Sequence, residues 1–193
     1  MRKDQDRRTR KTLKTLKTSL ILLLQKKSVK QITVRELAEI ADINRSTFYL
    51  HYRDIPDMVA QIQQELIDDF HKILETYTPK QTNANPLPIL QEIFTFLYHN
   101  ADFCKALLGR NGDIAFMEKI RELLRQECLP AWQTAFCIPE GQDARYLSSY
   151  VVSGCVGVIQ TWLENGMKEE PLFMASLADE MIMQGISPYH KER

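Results

Sequence analysis

Apolar residues at positions 13, 16, 20, 23 and 24 recur at helical spacing between lysines and threonines, so the pattern predicts an amphipathic helix over about 7 to 27 with a basic outer face. A polar break, "KKSVKQ", follows. Thr33 then stands as a helix cap, with Glu36 three residues on to complete a capping box, and Val34, Leu37, Ala38 and Ala41 share one face of a short second helix. After "DIN" the stretch "NRSTFYLHYR" (44–53) reads as a third short helix, and Asp54 with Asp57 marks the start of a fourth. Ile55, Met58, Val59, Ile62, Leu66, Phe70, Ile73 and Tyr77 give that fourth helix a long regular stripe, which Pro79 ends.

Beyond the polar loop "PKQTNANPLP" the spacing predicts helices over 88–100, 102–108 (closed by Gly109), 113–136 with a break at Pro130, 142–165 (closed by Gly166) and 171–184 (closed by Gly185). No alternating strand of useful length appears, and there is no internal repeat. The expected fold is therefore all-α, with about nine helices. Its expected division is an N-terminal domain of short helices over 1–54 and a helical domain over 55–193, with helix 55–78 joining the two.

Charge changes this picture most. The formal net charge of zero hides a split: residues 1 to 53 hold fourteen Lys or Arg against five Asp or Glu, a balance of +9, and residues 54 to 193 hold eleven against twenty, a balance of −9. Such a chain offers a basic end to a polyanion and an acidic end that the same partner repels. The bland alternative is a solvated lysine-rich helix. Apolar content of 44% with 26% charged residues otherwise fits an ordinary globular protein of one domain or two, and is too apolar for a disordered chain.

The start of the chain is basic throughout, and the run "LILLL" is too short for a secretory signal core or a membrane span. "YLSSYVVSGCVGVIQTWL" (146–163) approaches membrane length, but its serines, Gln160, Thr161 and the acidic residues after it argue for a buried helix and no membrane partner. Cys104, Cys128, Cys137 and Cys155 form no CxxC pair and have no nearby histidine to complete a zinc site. Reduced, structural thiols in a cytoplasmic protein, with no metal and no cofactor, are the expectation.

Two short helices joined by a tight turn can form a helix-turn-helix, whose second helix enters the major groove while the first lies across the backbone. Ala38 is small where the helices would cross, Leu37, Ile43 and Phe48 can face inward, and Asp42 suits a turn residue of positive φ, where glycine is commoner. With Phe48 inward, Arg45, Ser46, Thr47, Tyr49 and Leu50 project outward. Arg45 can donate two hydrogen bonds to a guanine edge, Ser46 and Thr47 can reach bases or phosphate, and Leu50 can meet a thymine methyl. Thr33, Tyr49, His51 and Arg53 are better placed as phosphate clamps, and Arg35 and Asn44 complete the candidate DNA-binding set. Phe48 and Tyr52 are assigned to the core.

"ITVRELAEIADINRSTFYLHYRDIPDMV" (32–59) resembles the DNA-binding domain of the tetracycline-repressor (TetR) family of bacterial transcription regulators. Thr33, Ala38, Thr47, Tyr49 and His51 match the family's form, and Tyr52 stands where Phe is commoner. A lysine that often opens the fourth helix and contacts phosphate is replaced here by Ile55. "ALLGRNGDIAF" (106–116) and "VSGCVGVIQTWLENGMKEEP" (152–171) are similar to a subgroup with its own regulatory domain. The resemblance implies a homodimeric repressor that binds a pseudo-palindromic operator in double-stranded DNA. A small-molecule effector of unknown identity, bound in the C-terminal domain, would control it.

Ser149, Ser153 and Gly157 recur every four residues on the penultimate helix beside Gly154, a stripe that lets another helix approach closely. They are the candidate dimer interface, with close packing inside one subunit as the alternative. No residues single themselves out as the effector pocket. Against DNA binding stand a helical ligand-binding protein or an enzyme; no GxGxxG, phosphate loop, HExxH or nucleophile elbow is present, and no catalytic set is assigned. A third reading keeps DNA binding and replaces the small molecule with a protein co-regulator.

Overall fold

The computed structural model describes the backbone of residues 2–76, 85–108, 113–135 and 142–185, and the side chains of 7–76, 85–108, 113–127 and 144–185. Among the described residues the chain is helical without strands: α1 (Arg2–Leu24), α2 (Val34–Ile40), α3 (Arg45–Tyr49), α4 (Ile55–Glu75), α5 (Leu87–His99), α6 (Ala101–Leu108), α7 (Ile114–Ala135), α8 (Gln142–Glu164) and α9 (Pro171–Gly185). The chain divides into two compact units, Met1–Glu65 and Leu66–Arg193, with the division inside α4. No described helix is long and apolar enough to cross a membrane.

In the first unit α1 packs on α2, and α2 on α3. Leu16, Leu37, Phe48 and Met58 are fully buried, with Leu20, Ile55 and Ile62 nearly so. Burying a Leu- or Phe-sized side chain contributes about 1.5–3 kcal/mol, and these positions hold two helices too short to persist alone. α1 ends three residues before the expected position because Lys26 and Lys27 both donate to the Leu23 carbonyl, at 2.9 and 3.0 Å. The "KKSVKQ" break is itself ordered: a 3₁₀ turn over Val29–Gln31 is tied by Gln31 Oε1, which accepts from the main chain and the hydroxyl of Ser28, both at 3.1 Å.

In the second unit α9 packs against α5, and α7 and α6 pack on α8. Phe94, Leu97, Cys104, Phe116, Val152 and Trp162 fill its interior. The Trp162 indole meets the Phe94 ring edge-on at 5.4 Å between centroids and donates to the Glu169 carbonyl at 3.2 Å, so the largest apolar side chain is buried without an orphaned N–H.

Three helix ends separate sequence pattern from structure. The break expected at Pro130 does not occur: α7 runs on to Ala135, since an internal proline forfeits one main-chain hydrogen bond without having to end the helix. Gly166 does close α8, at φ +87, and Met167 follows at φ 58. Gly185 instead ends α9 without a positive φ, and what it accommodates is the ring of Tyr150, whose Cε1 would lie 2.7 Å from an added Cβ. Tyr77, Pro79 and Gly109 lie outside the described residues.

Candidate nucleic-acid interface

α2 begins where the Thr33 hydroxyl oxygen accepts from Glu36 N at 3.2 Å. The reciprocal half of the expected capping box is diverted, because the Glu36 carboxylate takes Lys27 Nζ at 2.6 Å and so ties the end of α1 to the start of α2. Ala41 ends α2, Asp42 takes φ 51, and Ile43 N returns to the Ala38 carbonyl at 3.0 Å. The aspartate in the turn therefore adopts the left-handed conformation its position asks for. Asn44 then caps α3, its Oδ1 accepting from Ser46 N and Ser46 Oγ, both at 3.0 Å.

α3 is five residues long and is fixed from beneath by aromatic packing. Phe48 is fully buried and Tyr52 is 5% exposed, with their rings 5.6 Å apart. Burial, then the charges of Glu65 and Asp57, push the Tyr52 phenol up to about 12. The opposite edge is bare: Tyr49 is 58% and Leu50 79% exposed. Arg45 and Ser46 are exposed there too, while Thr47 and His51 are half-buried, His51 against the Tyr52 ring at 6.4 Å.

The cations of this face are not equivalent. Arg45 is exposed and takes part in no ion pair among the described residues. Arg35 Nε pairs with Glu39 Oε1 at 2.9 Å, and Arg53 Nη2 with Asp57 Oδ1 at 3.1 Å; these hydrogen bonds hold both guanidinium groups above their ordinary range. Both guanidinium groups are exposed, so neither pairing takes its arginine out of reach of a phosphate. Ile55 is 2% exposed and offers this face nothing. Ten residues singled out by sequence thus share one short region, with Thr33, Arg35, Asn44 and Arg53 exposed around the α3 edge. Lys30, exposed on the turn before Thr33, was hidden in what reads as a plain polar break.

A second surface lies on α8. Ser149, Ser153 and Gly154 are exposed and Gly157 is half-buried, and a Cβ added at Gly154 or Gly157 would meet nothing within 4 Å. Among the described residues, then, no helix of the same chain presses on this stripe. Tyr146 and Tyr150 flank it at 72% and 58% exposure; on α9, Leu172, Phe173 and Met181 are exposed. Ser148 Oγ on α8 and Asp179 Oδ1 on α9 are buried with no hydrogen-bond partner among the described residues, and burial raises the Asp179 carboxyl.

Cys104 is fully buried and its thiol is pushed up to about 12 by that burial; Cys155, half-buried, is pushed to about 11. Neither has the electropositive, exposed setting of a reactive thiol. The side chains of Cys128 and Cys137 lie outside the described residues. No group of three His, Cys, Asp or Glu side chains among the described residues is set to hold a metal.

Comparison with known proteins meets this geometry from the other end of the chain. A TetR family model described as "Transcriptional regulator C-terminal region" matches residues 84–184, just over half the chain. The chain is 21% identical over 174 residues to the fatty acid metabolism regulator protein of Bacillus subtilis (strain 168), covering 85% of this chain and 90% of that one. Its fold is similar to that of a TetR transcriptional regulator from Streptococcus agalactiae 2603V (TM-score 0.63, 23% identity, covering 94% of this chain and 99% of that one). It is similar also to that of the regulator FadR from Bacillus subtilis in complex with stearoyl-CoA (TM-score 0.62, 19% identity, covering 89% and 98%).

Proposed function

From the premise that the chain belongs to the TetR family of transcriptional regulators, and so is a regulator rather than an enzyme, we propose a homodimeric, ligand-responsive cytoplasmic repressor that binds a pseudo-palindromic operator. The observation that carries the reading is the α3 edge: Phe48 and Tyr52 hold the helix from below while Arg45, Tyr49 and Leu50 stand in solvent. Arg45 then reads a base edge, with Ser46, Thr47 and Leu50 beside it. Thr33, whose hydroxyl oxygen is used by Glu36 N, still has its O–H to donate to a phosphate, and Tyr49, His51, Arg35, Asn44 and Arg53 surround the same strand.

Dimerisation supplies the second half-site, about 34–36 Å from the first. The open stripe of Ser149, Ser153 and Gly157 supports it, because two copies of α8 can approach closely there. The effector binds the helical second unit and need only prefer the conformation that does not bind DNA. A coupling of about 1–3 kcal/mol changes operator affinity about 5- to 150-fold. The FadR relative holds stearoyl-CoA, which makes a long-chain fatty acyl-CoA the first effector class to titrate.

The test is fluorescence anisotropy on duplexes from the DNA flanking the chain's own gene, against scrambled controls. With six to ten phosphate contacts, affinity falls about 10³- to 10⁵-fold between 50 and 200 mM salt. Arg45→Ala relaxes discrimination between the two duplexes, whereas Thr33→Ala weakens both alike. Salt-insensitive binding, with unchanged preference in both variants, refutes the reading.

A further inference from the structure

The head of α4 lacks a cation of its own: Ile55, its first residue, is 2% exposed and belongs to the core. Two residues earlier stands Arg53, with its side chain 86% exposed, and four residues beyond that Asp57, whose side chain is only 14% exposed. Asp57 Oδ2 accepts from the Arg53 main-chain N–H at 2.9 Å and from Gln61 Nε2 at 3.2 Å, while Oδ1 accepts from Arg53 Nη2 at 3.1 Å. The Asp57 main-chain N–H in turn donates to Asp54 Oδ1 at 2.7 Å.

An exposed ion pair between two mobile side chains holds neither of them well. Here one partner is fixed before the pair forms, since the carboxylate is held by a main-chain donor, a glutamine and the capped first turn of the helix. We propose that Asp57 is a positioning residue: it holds the Arg53 guanidinium at the head of α4 as the phosphate clamp that Ile55 cannot be. A guanidinium has five N–H donors in a rigid fork, so one bond to Asp57 leaves the others for a phosphate oxygen. The low carboxyl pKa, caused first by the Arg53 main-chain bond and then by the Arg53 side chain, keeps Asp57 ionised wherever the chain binds DNA.

The inference rests on the DNA-binding reading, and the alternative role of the carboxylate has the opposite sign. If Asp57 merely screened Arg53, its removal would tighten binding. The test uses the full chain with a 30-base-pair duplex of arbitrary sequence, since phosphate contacts are independent of sequence, and reads the slope of log affinity against log salt. Arg53→Gln makes that slope shallower by about 0.9 per subunit. Asp57→Asn, which keeps an acceptor for Arg53 N but not the ion pair, makes it shallower by about half of that or more, and the double variant is no weaker than Arg53→Gln alone. Thermal melts of the variants separate these slopes from a loss of folding. An Asp57→Asn slope that is unchanged or steeper, or tighter binding at every salt concentration, overturns the proposal while leaving DNA binding intact. A wild-type chain with no steep salt dependence overturns both.

Discussion

Replacing Gly157 by leucine sets folding and assembly against each other. Gly157 lies inside α8, where glycine is less favourable than leucine by about 0.8 kcal/mol, and an added Cβ meets nothing within 4 Å. The isolated subunit is therefore expected to fold as well as before, or slightly better. If the stripe faces a second copy, the same side chain enters a close helix–helix contact, where an inserted group costs about 1–3 kcal/mol. Twofold symmetry repeats that cost. Dimer dissociation then strengthens by 2–6 kcal/mol, or roughly 30-fold to 10⁴-fold. Sedimentation equilibrium across a protein dilution series measures this directly, with helical content by circular dichroism as the control for folding. A Gly157→Leu chain that dimerises as tightly as the wild type, with unchanged helicity, refutes the placement of the interface on this face.

Asp42→Gly relieves a left-handed residue but loosens the unfolded chain, two effects of about 0.5–1 kcal/mol that nearly cancel, so urea midpoints should stay close to wild type. Asp42→Val, which brings a β-branched side chain to φ 51, is expected to cost about 1–2 kcal/mol, and an unchanged midpoint would deny the strain. The Tyr52 phenol, about 12 when folded against 10.0 in its ordinary state, gives a pH dependence of definite sign. The folded chain keeps a proton that the unfolded chain has lost, so this contribution to stability is complete below pH 10 and drains away between 10 and 12. Tyr52→Phe should flatten that part of a stability–pH curve, and an equal slope in both proteins would contradict the burial of the hydroxyl.

Local chemistry was legible in the sequence wherever one element decided it. The caps at Thr33 and Asp54, the positive φ of Asp42 and the inward turn of Phe48 follow from residue type and spacing, because each depends on neighbours within four positions. What spacing could not reveal was competition between partners. Glu36 reads as the second half of a capping box, yet Lys27, nine residues away across a turn, takes its carboxylate. Arg35 and Arg53 read as free cations, and each has a carboxylate one helical turn ahead. Pro130 reads as a break, but a long helix already propagating absorbs the loss of one bond. At Gly185 the pattern suggested a cap, whereas a tyrosine thirty-five residues earlier is what needs the space.

The five-residue length of α3 carries a thermodynamic consequence of its own. A single turn and a half does not persist in water unaided, so the edge proposed to read DNA exists only while Phe48 and Tyr52 remain seated in the core beneath it. Recognition and local folding are then one equilibrium. Any duplex that binds the seated form adds to the stability of the first unit by mass action, about 2.7 kcal/mol at a hundred times its dissociation constant. On the proposed reading, operator DNA becomes part of what completes the fold of the unit that reads it.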